Sequence, residues 1–166
     1  MSSLQFKLHN EDDATWFARR VAKVFEKNNL FKQGVIVYLQ GDLGVGKSHF
    51  ARGFIQAFLP KQKVKSPTYT IVESYNFSTN CIYHLDLYRL CDPEELEYLA
   101  IRDLFSDSFV ALIEWPANGS PILPAADVEF EFSYMDDSAQ QGREVVITAR
   151  SLTGQEIVDE MTVNGS

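Results

Sequence analysis

Gly41-Asp42-Leu43-Gly44-Val45-Gly46-Lys47-Ser48 is a complete G-x-x-x-x-G-K-[ST] pattern, and it follows Val35-Ile36-Val37-Tyr38-Leu39, an apolar run of buried-strand character. That placement reads as a phosphate-binding loop between a strand and a helix. Glycines at 41, 44 and 46 let the backbone turn with its N–H groups pointing inward, Lys47 can reach the outer phosphates, and the Ser48 hydroxyl can ligate Mg²⁺. The helix expected from Lys47 onward adds the partial positive charge of its N-terminus.

Composition narrows the rest. With 166 residues, 45% hydrophobic and 13% aromatic, the chain suits a single domain spanning residues 1–166 with one core. The first residues, Met1-Ser2-Ser3-Leu4-Gln5-Phe6-Lys7-Leu8, lack the basic start and apolar stretch of a signal peptide, and nowhere do eighteen apolar residues run together. A cytoplasmic protein with no membrane partner is the expectation. Cys81 and Cys91 form no C-x-x-C pair, so two reduced thiols are expected rather than a zinc site. The net charge of −8 argues against a general grip on nucleic-acid phosphates, so RNA is met locally or through a partner.

Working outward from the loop, the elements alternate. Leu4 to Leu8 reads as a strand. Asn10 can cap a helix with Glu11, Asp12 and Asp13 in its first turn and Arg19, Arg20, Lys23 and Lys27 later, a charge order that suits the helix dipole. Those four cations could touch RNA, although a solvated helix face is the simpler reading. Phe50, Phe54, Ala57 and Phe58 repeat at helical spacing up to Pro60. Strands are expected at 70–77, 81–87, 109–114, 128–132 and 144–149, the last two as an antiparallel hairpin. Asp92-Pro93-Glu94-Glu95 carries helix-start chemistry. The whole predicts an α/β, P-loop NTPase-like three-layer fold with a mixed parallel and antiparallel sheet.

Two strands end in acids. In Ile82-Tyr83-His84-Leu85-Asp86 the two-residue period puts Ile82, His84 and Asp86 on one face, and Phe109 to Ile113 leads through apolar residues into Glu114. A buried carboxylate needs a cation or donor, and a phosphate loop that brings Mg²⁺ supplies one. Asp86 and Glu114 can serve as metal ligand and water-orienting group, with structural ion pairing as the alternative for each. Ser66-Pro67-Thr68-Tyr69-Thr70 lies where a loop can cover the γ-phosphate, and Thr68 there is either a switch threonine or part of an ordinary strand entry.

Gly41 to Ser48, Lys65-Ser-Pro-Thr-Tyr-Thr70, Tyr83-His-Leu-Asp-Leu-Tyr-Arg-Leu90, Asp92-Pro-Glu-Glu-Leu-Glu97 and Leu112-Ile-Glu-Trp-Pro116 follow the order and approximate spacing of the TsaE (YjeE) family, which this chain resembles from about residue 10 to 150. The resemblance implies binding of ATP and Mg²⁺ and weak, partner-dependent ATP hydrolysis. It also implies work with the TsaD and TsaB proteins, and through them indirectly with tRNA, to form N6-threonylcarbamoyladenosine at position 37 of tRNAs reading codons that begin with A. By the same resemblance, Gly41, Asp42, Leu43, Gly44, Val45, Gly46, Lys47, Ser48 and His49 hold the nucleotide, and Ser48 with Glu114 holds the metal. Asp86, Glu114 and Thr68 take the catalytic and switch positions, and Tyr88, Arg89 and Trp115 form a partner face. His49 and Ala117 stand where many members have threonine and an acid. Thr15 and Arg143 are candidate neighbours of adenine.

Other classes fit less well. Small-molecule kinases bring several arginines to the phosphates from a flap, whereas here those after the loop are scattered at 52, 89, 102, 143 and 150; a GTPase needs Asn-Lys-x-Asp, which does not occur. A nucleotide-gated binding module without significant turnover is the alternative to an ATPase.

Overall fold

The computed structural model describes residues 2–135 and 142–163. A seven-stranded sheet runs through it in the order β1-β7-β6-β2-β5-β4-β3, from β1 (Ser3–Leu8), β2 (Val35–Gln40), β3 (Val72–Phe77), β4 (Asn80–Asp86), β5 (Phe109–Glu114), β6 (Val128–Tyr134) and β7 (Arg143–Ala149). The four central strands, β6, β2, β5 and β4, are parallel; β3 pairs antiparallel with β4 at one side, and at the other β7 pairs antiparallel with β6 and β1 antiparallel with β7. The expected mixed sheet and the hairpin of β6 with β7 are both present. β5 is buried at every position, as a central parallel strand covered on both faces must be.

Helix α1 (Glu11–Lys27) starts where the Asn10 side chain accepts the Asp13 amide at 2.8 Å, with three acids in its first turn. It packs Phe17, Val21 and Phe25 onto the sheet beside α3 (Lys47–Phe58), and the short α2 (Leu30–Gln33) adds Leu30 and Phe31 to the same layer. Phenylalanine rings bind this layer together: Phe50 lies 5.1 Å from Phe130, and Phe25 meets Phe54 edge-on at 5.2 Å. The opposite face is covered more thinly, by α4 (Glu95–Tyr98), α5 (Ile101–Leu104) and a 3-10 turn at Pro116–Gly119, which bury Leu96 and Ile101 against Leu85, Ala111 and Ile113.

Three elements differ from the sequence expectation. The helix expected to grow from Asp92 is only two separate turns. Asp92 does accept the Glu94 amide at 3.0 Å, but the chain turns left-handed at Ala100 (φ 53°), because the apolar anchors Leu96 and Ile101 are five residues apart and one continuous α-helix cannot point both at the sheet. The strand expected from Thr70 begins at Val72, since Ile71 has φ 70° and its N–H closes a turn onto the Pro67 carbonyl at 2.8 Å. A sixth helix not expected from sequence, α6 (Leu152–Val163), packs Ile157, Val158 and Met161 into the aromatic layer. Ser151 starts it, accepting the Gly154 amide at 3.1 Å and donating to Asp127 at 2.7 Å. Gly154 is required there: a Cβ would meet the Asp127 carbonyl. Both cysteines are free thiols.

Candidate functional site: the phosphate loop and its acids

The loop leaves β2 and enters α3 with Gly41 at φ 136°, Gly44 at 79° and Gly46 at 119°, conformations that L side chains rarely adopt. Gly41 is also tight, since a Cβ there would meet the Phe132 carbonyl oxygen and the Val45 side chain. Val45 is buried beneath the loop, whereas Asp42, Leu43 and Gly44 are exposed. The Lys47 ammonium, on a side chain only 3% exposed, donates to the Gly41 carbonyl at 2.5 Å and lies 3.7 Å over the Trp115 ring. Burial pushes that ammonium below its ordinary lysine value, while the Glu114, Asp86 and Asp42 carboxylates pull it back up.

The two strand-end acids come together because β4 and β5 are parallel neighbours in register, Asp86 opposite Glu114, with Leu39 of β2 on Glu114's other side. Glu114 is 3% exposed. Its carboxylate accepts the Ser48 hydroxyl at 3.2 and 3.3 Å, and its Oε2 lies 2.7 Å from His84 Nε2. With the carboxylate as acceptor, the ring N–H of this contact is assigned to Nε2. His84 Nδ1 is buried without a hydrogen-bond partner among the described residues. Asp86 accepts the Tyr88 amide at 3.0 Å. Burial raises its carboxyl above the usual aspartate range, the Tyr88 N–H offsets part of that, and Glu114 adds to it. Hard oxygen donors therefore stand at the start of α3 and the end of β5. Among the described residues no group of three His, Cys, Asp or Glu side chains could hold a metal alone. Ser48 and Glu114 fit a cation that takes its other ligands from phosphate oxygens and water, the habit of Mg²⁺.

His49 is half-buried, with Nε2 3.3 Å from the Thr15 hydroxyl; burial first, then Arg52, holds its imidazole below the usual histidine value against the pull of Glu11. With Asn10, Ala14, Gly44 and Arg143 it lines a hollow behind the loop. Arg143 donates from Nε to the Val45 carbonyl at 3.1 Å and lies 4.2 Å over the Tyr134 ring. Thr68 bonds within its own segment, 2.6 Å from the Ser66 hydroxyl, and makes no hydrogen bond to Ser48, Asp86 or Glu114 among the described residues. Beyond the acids, Tyr88 packs on Trp115 at 5.0 Å and the Arg89 guanidinium lies 5.1 Å over Tyr69, a ring 85% exposed. Trp115 holds its turn at φ 57°.

Two residues here had no role from sequence. His84 was placed on the face of Asp86, but its pairing with Glu114 depends on the order of β4 and β5. Tyr69 lay inside the Ser66–Thr70 segment, and its signal was an aromatic ring in an otherwise polar loop.

The sheet with a glycine loop running from its central strand into α3 defines a P-loop NTPase-like α/β protein. The crystal structure of Bacillus subtilis YdiB has the same fold: TM-score 0.77, 24% identity, covering 99% of this chain and 97% of that one. The family model for the threonylcarbamoyl adenosine biosynthesis protein TsaE matches residues 8–145. The chain is 42% identical over 158 residues to the tRNA threonylcarbamoyladenosine biosynthesis protein TsaE of Haemophilus influenzae, covering 95% of this chain and 97% of that protein. It is 31% identical over 149 residues to the protein of the same name from Bacillus subtilis, covering 90% of this chain and 87% of that one. The chain belongs to the TsaE family, whose members take part in the biosynthesis of threonylcarbamoyladenosine in tRNA. Among the described residues no helix is long and apolar enough to cross a membrane.

Proposed function

We propose that this chain is a cytoplasmic P-loop ATPase that binds ATP with Mg²⁺, hydrolyses it slowly, and supports the TsaB–TsaD pair in forming N6-threonylcarbamoyladenosine at position 37 of tRNAs reading codons that begin with A. The observation that carries this reading is the Ser48 hydroxyl against the buried Glu114 carboxylate at the mouth of the glycine loop. In this reading the loop amides from Leu43 to Ser48 cradle phosphate oxygens, and Lys47 leaves the Gly41 carbonyl for the outer phosphates. Bound Mg²⁺ would neutralise charge on the β- and γ-phosphates. His84 holds Oε2 of Glu114 while the Ser48 hydroxyl reaches both carboxylate oxygens, so the carboxylate is oriented from two sides. Asp86, one strand over, is placed to orient water, and Thr68 sits in the segment that would cover the γ-phosphate.

A second reading, a nucleotide-gated binding module without significant turnover, draws on Lys47 resting on Trp115, the ring that carries Tyr88. Moving Lys47 onto a phosphate would free one side of that aromatic pair. Calorimetry with ATP, with and without Mg²⁺, followed by phosphate release with and without TsaB, TsaD and tRNA, tests both. The ATPase reading expects Mg²⁺-dependent binding and slow turnover that rises with the partners. Binding without turnover under every condition supports the module instead, and no binding overturns both.

A further inference from the structure

Charge is distributed unevenly along this acidic chain. Residues 14–72 contain ten Lys and Arg against two Asp and Glu, while the rest contains five against twenty-one, so a net +8 segment sits in a protein of net −8. The fold turns this asymmetry into a surface. The segment supplies α3 and, after the acidic first turn of Glu11, Asp12 and Asp13, the rest of α1, and the two helices pack side by side so closely that a Cβ on Gly53 would lie 2.8 Å from that of Ala18. Arg19 and Lys23, four residues apart on α1, border two open grooves. One runs along α1 past Trp16, Arg20 and Lys27. The other crosses to Gln56 and Pro60 at the end of α3, and exposed Lys61 and Lys63 follow directly. Arg52, exposed, lies one turn before Gln56 on the same stripe of α3.

These cations are not engaged elsewhere. Arg19, Lys23, Arg52, Lys61 and Lys63 have no salt bridge among the described residues, where only Lys27 of this face has a carboxylate partner, Glu160 at 3.9 Å. Asp12 and Glu26 are the acids on the groove walls. Trp16 is 48% exposed, and Arg20 lies 5.4 Å over its ring while donating to the Met161 carbonyl at 2.7 Å. Trp16 is the large exposed apolar side chain on these groove walls among the described residues, too little for a flat lipid-facing surface. Unpaired cations, Arg19 and Lys23 about 6 Å apart along α1 with Arg52 on α3 and Lys61 and Lys63 just beyond its end, complement a linear polyanion.

From this surface we infer that the α1–α3 face binds the phosphodiester backbone of base-paired RNA, without reading its sequence. The tRNA chemistry of the family makes RNA the backbone to test, and the inference does not depend on ATP binding at the loop, which lies at the other end of α3. Backbone contacts of this kind act through counterion release, so affinity falls steeply with salt. Phosphate contacts position a protein on a helix without selecting bases.

The test is fluorescence anisotropy of the full chain, without nucleotide, with a labelled RNA duplex and with unmodified tRNA between 50 and 200 mM salt. Binding should weaken with a log–log salt slope of about −3 to −5, for four to five contacts. R19E/K23E should weaken it by on the order of tenfold or more and flatten the slope by about 2, while K7E and R102E, outside the face, should change it little. R19Q/K23Q, with the fold checked by circular dichroism, gives the same reading if charge reversal harms folding. No binding at 50 mM salt, equal losses from K7E or R102E, or equal affinity for poly-glutamate, which would mark an acidic protein as the occupant, overturns the inference.

Discussion

Helices α1, α3 and α6 cover one face of the sheet with interlocked aromatic rings, whereas the other is covered by two four-residue helices and a 3-10 turn. On the first face, side chains such as Phe17, Phe25 and Phe54 are wholly buried. On the second, Tyr69, Tyr88 and Tyr98 are more than half exposed. The glycine loop and the Asp86–Glu114 pair lie where these two coverings meet. Burial on the thick side fixes where the loop begins and where α3 points. The thin side leaves aromatic and arginine side chains in solvent beside the acids, the residue types favoured at protein interfaces. The interlocked aromatic layer and the exposed tyrosines beside the acids are therefore on opposite faces of one sheet.

The sharpest way to break that contrast is Phe54→Ala. Phe54 is fully buried between Phe25, Phe50 and Phe58, so truncation should cost about 3–5 kcal/mol in urea unfolding. Tyr98→Ala, at a ring 89% exposed, should stay within about 0.5 kcal/mol. Comparable losses from the two would show that the thin face holds the fold as firmly as the thick one.

Next in size is Lys47→Ala, at the junction of the faces. If the proposed ATP site is right, it removes one charge-assisted contact to a phosphate, about 1.5–3 kcal/mol, or roughly ten- to a hundredfold in ATP affinity by calorimetry. Unchanged affinity in a folded variant would remove the nucleotide from this loop.

How much of this was legible in the sequence follows from which constraints are local. The loop needs glycine at left-handed positions and a lysine and hydroxyl at fixed spacing, so eight consecutive residues disclosed it. Asn10 and the acids after it disclosed α1 in the same way. Helix α6 was not legible: its start, Leu152, is exposed, and its buried residues, Ile157, Val158 and Met161, cover too short a stretch to show a period. Ser151 and Gln155 marked it only once Asp127 was known to lie beneath. Strand order was hidden as well, and with it the contact of His84 with Glu114, thirty residues apart. The period-two pattern put His84 and Asp86 on one side; only the parallel pairing of β4 with β5 supplied the partner.

Glu114→Gln and Asp86→Asn test the junction with a smaller effect on the apo protein. Each keeps shape and removes charge, and burial already disfavours the ionised form of Asp86. The melting temperature without ligand should hold or rise, while Mg²⁺-dependent phosphate release falls. A large loss of apo stability with full specific activity would make that acid a structural ion-pair partner and leave the junction without its proposed chemistry. For Glu114 a companion measurement is His84→Phe, which leaves the carboxylate in place without its donor: Mg²⁺ affinity should weaken in calorimetry even before turnover is assayed.

Arg89→Ala should have the smallest effect on the isolated chain and therefore asks most of the comparison. Arg89 is exposed, and the ring beneath it, Tyr69, is itself in solvent. An exposed cation–π contact is worth about 0.5–1 kcal/mol at most, so unfolding and ATP affinity should barely change. If the thin face meets a partner, the rise in hydrolysis on adding TsaB and TsaD should drop, because hydrolases of this class commonly gain rate from groups that a docked protein supplies or positions. Phosphate release measured with and without the partners, for the wild type and the variant at saturating ATP, separates the outcomes. An undiminished rise in Arg89→Ala would place the contact elsewhere on the surface, and a fall in the partner-free rate would make Arg89 part of the site itself.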